Sequence, residues 1–292
     1  MLEGRLGLET ARVPQSDRHG LLWIGRGNLT AEDGTLRFVT AGAGDLRSGD
    51  YQIPFQMLSC IILQPGCTVS HDALRLLARH GTGLLAVGDD GVRMYASMPF
   101  GPDDSALARE QARCWAMPPS RTLKARKLYA WRLGELLPDA DITVLRGIEG
   151  ARMKEIYKRL AQQYSVRWDG RRYDRADPTS ATPANQAINH AASAVEAAAM
   201  VAVACTGTLP QLGFIHEDSG NAFCLDIADL FRDTFTLPIA FGAVRESESK
   251  NEPLERCVRR AAGKAFREKQ LVATMIDRIK ELFDGDDGHR DP

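Results

Sequence analysis

The sequence predicts an α+β protein, with an N-terminal β-sandwich domain containing one helix joined to an all-α C-terminal domain. From about Gly20 to Ser97 the chain carries short apolar or alternating runs separated by turn signals. Beyond Ser105 the apolar residues recur at helical spacing almost to the end. The length of 292 residues also favours two domains over one. The expected boundaries are residues 1–98 for the first domain, 99–105 for a linker, 106–283 for the helical domain and 284–292 for a flexible acidic tail.

The strand candidates are LLWIG, TLRFVT, CIILQ, GLLAVG and VRMYAS, with turns at Asp33-Gly34, Pro65-Gly66 and Asp89-Asp90-Gly91. One helix interrupts them. Ser70 can cap it, and Ala73, Leu74, Leu77 and Ala78 repeat on one face. The segment MPFGPDDS, with two prolines and a glycine, separates the two patterns. Helices are then expected over Ser105–Met117, Arg121–Leu137, Thr143–Tyr164, Ala184–Thr206, Ile227–Phe235 and Glu255–Phe283. A short extended piece, GFIHEDSGNAFCLD, is expected between the fourth and fifth.

Composition excludes several classes. At 44% hydrophobic and 26% charged, the chain is that of an ordinary soluble globular protein. The six cysteines form no CxxC pair and sit mostly in apolar runs, which points to buried thiols of a reducing compartment and not to a disulfide frame or zinc site. The first residues have no apolar core of a secretory signal, and the apolar stretch around Ala197–Cys205 is too short to span a bilayer, so the expected location is the cytoplasm, with no membrane partner.

Net charge is -1, which does not by itself advertise nucleic-acid binding. The distribution does. Arg152, Lys154, Lys158, Arg159, Arg167, Arg171, Arg172 and Arg175 crowd one segment, interleaved with Tyr157, Tyr164, Trp168 and Tyr173. Arg256, Arg259, Arg260, Lys264, Arg267 and Lys269 form a second cluster. Bases mixed with aromatics suit phosphate contacts and base stacking; the bland alternative is a set of solvated helix faces.

Glu149 is the most informative position. Projected at about 100° per residue, Leu145, Ile148, Met153, Ile156 and Leu160 share one face, and Glu149 lies in its middle. A carboxylate there needs a cation or donors. It is either a core glutamate paired with an arginine, or a metal ligand or acid–base group. In GFIHEDSGNAFCLDIADLFRD, His216 precedes a polar turn, and Asp226 and Asp229 are three residues apart, on one face if a helix begins there. These could share a divalent ion. Equally, Asp226 could be a helix N-cap and Asp229 a capping-box acid, with Asp233 extending a solvated face. Glu217 and Asp218 are rival ligands.

Several motifs together resemble the CRISPR-associated adaptation integrase ("Cas one") family, its subtype I-E branch in particular. They are PGCTVSH, DDGVRMYAS, LRGIEGARMKEIY, LAQQYSVRWDGRRYD, NQAINHAAS and LGFIHEDSGNAFCLDIADLFR. The resemblance spans nearly the whole chain. It implies a helical catalytic C-terminal domain and an N-terminal domain serving dimerisation. It also implies a homodimer that joins a small second CRISPR adaptation protein in a hetero-hexamer.

The implied activity is metal-dependent DNA integrase and endonuclease chemistry, joining 3′-OH ends of captured foreign DNA to the leader–repeat junction with Mg²⁺ or Mn²⁺. The resemblance implies metal ligands at Glu149, His216, Asp226 and Asp229, a tyrosine beside the centre at Tyr173, and DNA contacts at Arg93, Arg232, Arg256 and Arg259. Thr68 stands where the relative has arginine, and Arg26 where it has a tyrosine that braces the duplex end. The residues alone leave two other readings, a stand-alone structure-specific nuclease on branched DNA and a non-catalytic DNA clamp.

Overall fold

A computed structural model describes residues 18, 20–42, 46–97, 105–135, 141–171 and 181–284. The chain divides into two compact units: residues 1–88 with 95–106, and residues 89–94 with 107–292. Asp89–Met94, which the sequence reading puts in the N-terminal domain, therefore groups with the helical unit. The expected linker and tail lie almost wholly outside the described residues.

The first unit has two four-stranded sheets. One has the order β1 (Gly20–Ile24), β5 (Leu58–Leu63), β7 (Gly83–Val87), β8 (Met94–Ser97). The other has the order β4 (Gly49–Ile53), β3 (Thr35–Thr40), β2 (Gly27–Glu32), β6 (Cys67–Val69). β5 runs parallel to both β1 and β7. That explains its almost unbroken apolar run, since a parallel strand is covered on both faces. α1 (His71–His80) lies in the crossover from β5 to β7, and Ser70 caps it by accepting from the Ala73 N–H at 3.2 Å. Ile24, Ile61 and Leu84 of one sheet, Leu29, Leu36 and Phe38 of the other, and Ala73 and Leu77 of α1 form one core.

The sequence reading missed β2, β4 and β6. β2 (GNLTAE) buries only Leu29 fully, and β4 (GDYQI) only Ile53, so neither shows a strong alternation. The Asp33-Gly34 turn was visible. Both residues have positive φ (50° and 74°), and Glu32 pairs with Thr35, as a two-residue hairpin turn requires.

The second unit is helical: α2 (Ala106–Ala116), α3 (Pro118–Leu133), α4 (Ile142–Gln163), α5 (Pro183–Thr206), α6 (Ala222–Asp229), α7 (Leu237–Lys250), α8 (Leu254–Glu268) and α9 (Leu271–Phe283). α5 is its hub. Its alanines and valines are buried against α6, α7, α8 and α9. Its length and apolarity would pass for a membrane span, but most of it is inside this unit.

Several helices differ from expectation. α3 stops at Gly134, whose φ of 69° closes the helix, and not at Leu137. α7 was missed; Pro238 sits in its first turn, where the missing N–H is harmless. The single helix expected over Glu255–Phe283 is two, divided at Gln270 with φ 47°. All six cysteines are free thiols.

Candidate active site

The site begins with two charges placed on apolar helix faces. On α3 the buried stripe is Lys124, Ala125, Leu128 and Tyr129, and Arg132 continues it with a side chain only 8% exposed. On α4, Leu145, Tyr157, Leu160 and Ala161 are buried, and Glu149 lies among them with 17% exposure. The two charges meet: Arg132 Nη2 is 2.5 Å from Glu149 Oε1. The second guanidinium nitrogen of Arg132, Nη1, is 3.2 Å from Asp229 Oδ2. One cation thus bridges two carboxylates from different helices.

The segment before α6 is a bend and not the extended piece expected, and α6 begins at Ala222. Asp226 is therefore inside the helix and is not its N-cap; that position is Asn221. Asp229 is the last residue of α6, not a capping-box acid. At a helix C-terminus a carboxylate meets an unfavourable dipole. Arg132 and Arg232 offset it, the latter through Nη2 at 2.8 Å and Nε at 3.1 Å from Asp229 Oδ1.

Asp226 holds the preceding bend. Its buried carboxylate accepts from the backbone N–H groups of Phe214 (2.6 Å), Ile215 (3.1 Å) and His216 (3.0 Å). It also lies 2.7 Å from His216 Nδ1. Gly213 makes the bend possible, because a Cβ there would stand 2.3 Å from the His216 carbonyl oxygen and 2.8 Å from Ala222 Cβ. With Nδ1 donating to Asp226, His216 presents Nε2 to Asp229 Oδ2 at 3.9 Å. The hydrogen bond to Asp226 raises the His216 pKa above its ordinary value of 6.5, against the opposing effect of burial.

Gln111 of α2 steadies the chain further upstream. Fully buried, it donates to the carbonyls of Leu209 (2.9 Å) and Leu212 (3.0 Å) and accepts from the Leu209 N–H (2.7 Å). Sequence reasoning singled out neither Gln111 nor Arg132. Arg132 carried the same signal as Glu149, a charge in line with Ala125, Leu128 and Tyr129 on a helix face.

Glu149, His216, Asp226 and Asp229 thus come together around Arg132. Tyr173 lies outside the described residues. Of the rival ligands, Glu217 pairs with Arg121 at 2.7 Å and Asp218 is exposed. Arg93 is exposed and pairs with Glu255 at 3.0 Å. Arg256 and Arg259 are exposed on α8, while Arg232 is taken up by Asp229. Two of the aromatics expected to stack on bases are engaged inside the protein. Tyr157 is buried and stacks on Trp168 at 5.0 Å, and Trp168 packs edge-on against Phe241.

Two carboxylates and one imidazole nitrogen are a donor set suited to a divalent ion that accepts oxygen and nitrogen. As placed, no three such side chains among the described residues converge closely enough to hold one. The guanidinium of Arg132 lies between the two carboxylates. The donors fit an ion in chemistry, provided that Arg132 moves aside.

The family described as "CRISPR associated protein Cas1" matches residues 132–262, a span that contains all four acidic and histidine positions. A CRISPR-associated endonuclease Cas1 of Geobacter sulfurreducens is 34% identical over 272 residues, covering 93% of this chain and 86% of that protein. The CRISPR-associated endonuclease Cas1 of Escherichia coli is 35% identical over 272 residues, covering 93% and 87%. The crystal structure of a TtCas1–DNA complex superposes with a TM-score of 0.82 at 32% identity, covering 94% of this chain and all of that one. With this identity carried over nearly its full length, the chain belongs to the Cas1 family of CRISPR-associated proteins.

Proposed function

We propose that this chain is a metal-dependent DNA strand transferase and endonuclease of CRISPR adaptation, with Glu149, His216 and Asp229 as ion ligands and Asp226 as the residue that positions His216. The observation that carries the reading is the relay Asp226–His216–Asp229. A buried carboxylate fixes Nδ1 of the imidazole and so leaves Nε2 directed at a second carboxylate. Metal-binding histidines are characteristically held in this way by a carboxylate behind them. All acceptor directions of Asp226 used here serve the bend, so Asp226 is a support and Asp229 a ligand.

Glu149, His216 and Asp229 would hold Mg²⁺ or Mn²⁺, which would supply charge neutralisation at a reacting phosphate and acidify the attacking hydroxyl. The reaction is a phosphoryl transfer. A 3′-oxygen of the incoming DNA forms a bond to phosphorus, the phosphorus–oxygen bond of the target strand breaks, and the proton passes from the attacking to the leaving 3′-oxygen. Hydrolysis is the same displacement with water. Positioning and charge do most of the work in such reactions. Arg132 holds Glu149 of α4 and Asp229 at the end of α6, and the bend fixed by Asp226 holds His216. Arg256 and Arg259 present free charge from one helix face for duplex phosphates, and Arg93 is exposed nearby in sequence to the segment that packs on α8.

The reading extends to a homodimer and to a small second CRISPR adaptation protein as partner, and mass measurement of the mixed proteins tests that assembly. The DNA-clamp alternative rested on a capping box at Asp226 and Asp229, which α6 does not have. The test of activity is joining of a 3′-OH duplex to supercoiled DNA with Mn²⁺. Loss of joined and nicked products in Glu149→Ala is expected; full activity in that variant overturns the assignment.

A further inference from the structure

Arg132 is the feature that the proposed chemistry does not use. It is a buried charge, at 8% exposure, and it touches both carboxylates assigned to the ion. A guanidinium cannot give up its charge by deprotonation. It cannot share contact distance with a divalent cation on the same two oxygens without strong repulsion. An ion that takes those oxygens of Glu149 and Asp229 must therefore displace it.

We propose that Arg132 is a built-in competitor for the ion, which leaves the carboxylates when a nucleic-acid phosphate accepts it. The inference rests on the ion-binding reading above and adds to it a coupling between ion and DNA. In the ion-free protein the guanidinium neutralises two carboxylates that would otherwise repel each other, and so keeps α3, α4 and the end of α6 in register. Once displaced, it is a planar donor without an anion, beside a centre where a phosphate is to react. Arginine binds phosphate oxygens in pairs. A phosphate that receives Arg132 makes ion uptake easier, and by linkage the ion makes phosphate binding tighter to the same extent. Arg232 does not serve this purpose equally, because it holds Asp229 alone.

The experiment titrates the full-length chain with Mn²⁺, followed by paramagnetic resonance of the free ion. It is run with and without a duplex whose 3′ ends are dideoxy-terminated and so cannot react. In the wild type the duplex is expected to raise Mn²⁺ affinity about tenfold, within the usual range of such couplings. Arg132→Gln is expected to bind Mn²⁺ more tightly than wild type without DNA, and to lose most of the coupling. Equal Mn²⁺ affinity of wild type and Arg132→Gln, with binding abolished by Glu149→Ala, keeps the ion site and overturns the role of Arg132. Absence of coupling in the wild type overturns it as well, whether or not the variant folds. Failure of the wild type and Arg132→Gln alike to bind Mn²⁺ removes the ion site, and the competitor with it.

Discussion

Asp226→Asn removes one charge and changes one atom, yet it reaches every part of the centre. The carboxylate accepts four hydrogen bonds in the folded protein, two on each oxygen. Asparagine keeps one acceptor oxygen. If that oxygen stays with Phe214 and Ile215, the new amide faces the His216 N–H and Nδ1. The backbone donor is then opposed by another donor, and the imidazole must move its proton to Nε2 to accept from the amide. Hydrogen bonds to charged groups contribute about 1.5–3 kcal/mol each, so losing the backbone bond of His216 and reducing the other three to neutral ones costs on the order of 4 kcal/mol. The flipped tautomer also withdraws the nitrogen lone pair from the ion, and supporting partners of this kind are worth about 10–100-fold in metal affinity. Urea unfolding in the presence of a chelator measures the first effect and Mn²⁺ titration the second. A variant less than about 1 kcal/mol weaker than wild type, with unchanged Mn²⁺ affinity, would refute the positioning role.

Other outcomes follow from the same contacts. Gln111→Leu strands two carbonyls and one N–H of the Leu209–Leu212 turn, and a loss of about 3–5 kcal/mol is expected in denaturant unfolding; a neutral change would mean that the turn does not depend on this anchor. Arg259→Ala is expected to weaken duplex binding and to flatten the dependence of log affinity on log salt by about 0.9; an unchanged slope would take α8 out of the DNA surface. The raised pKa of His216 sets a sign for pH dependence. Its stabilising contribution to the ion-free protein is complete below the unfolded value near 6.5 and is lost as pH rises through the raised folded value. The stability advantage of wild type over His216→Gln should therefore shrink as pH rises above 6.5, and growth of that advantage would contradict the Asp226 hydrogen bond.

The sequence showed the fold where burial was one-sided or complete and failed where it was slight. The core strands β3, β5 and β7 announced themselves, whereas β2 and β4 each bury one residue fully and read as loop. At the site, Glu149 was legible because a carboxylate interrupts an apolar stripe. The contacts of Asp226 were not legible, because they lie ten to twelve residues upstream, on backbone groups that no side-chain pattern reveals. The start of α6 at Ala222 removes the N-cap alternative for Asp226, and the run NAFCLD carries no strong start signal. Arg132 was overlooked on α3 although its position repeats the argument made for Glu149. The pairing of the two could only come from folding, since they lie on different helices whose mutual packing the pattern does not fix.

The ligand assignment of His216 is tested most directly by electron spin-echo spectroscopy of Mn²⁺ bound to the full chain. The account requires coupling to one imidazole nitrogen in wild type, absent in His216→Gln and weakened in Asp226→Asn. A spectrum without nitrogen coupling, or with coupling that survives His216→Gln, would contradict it.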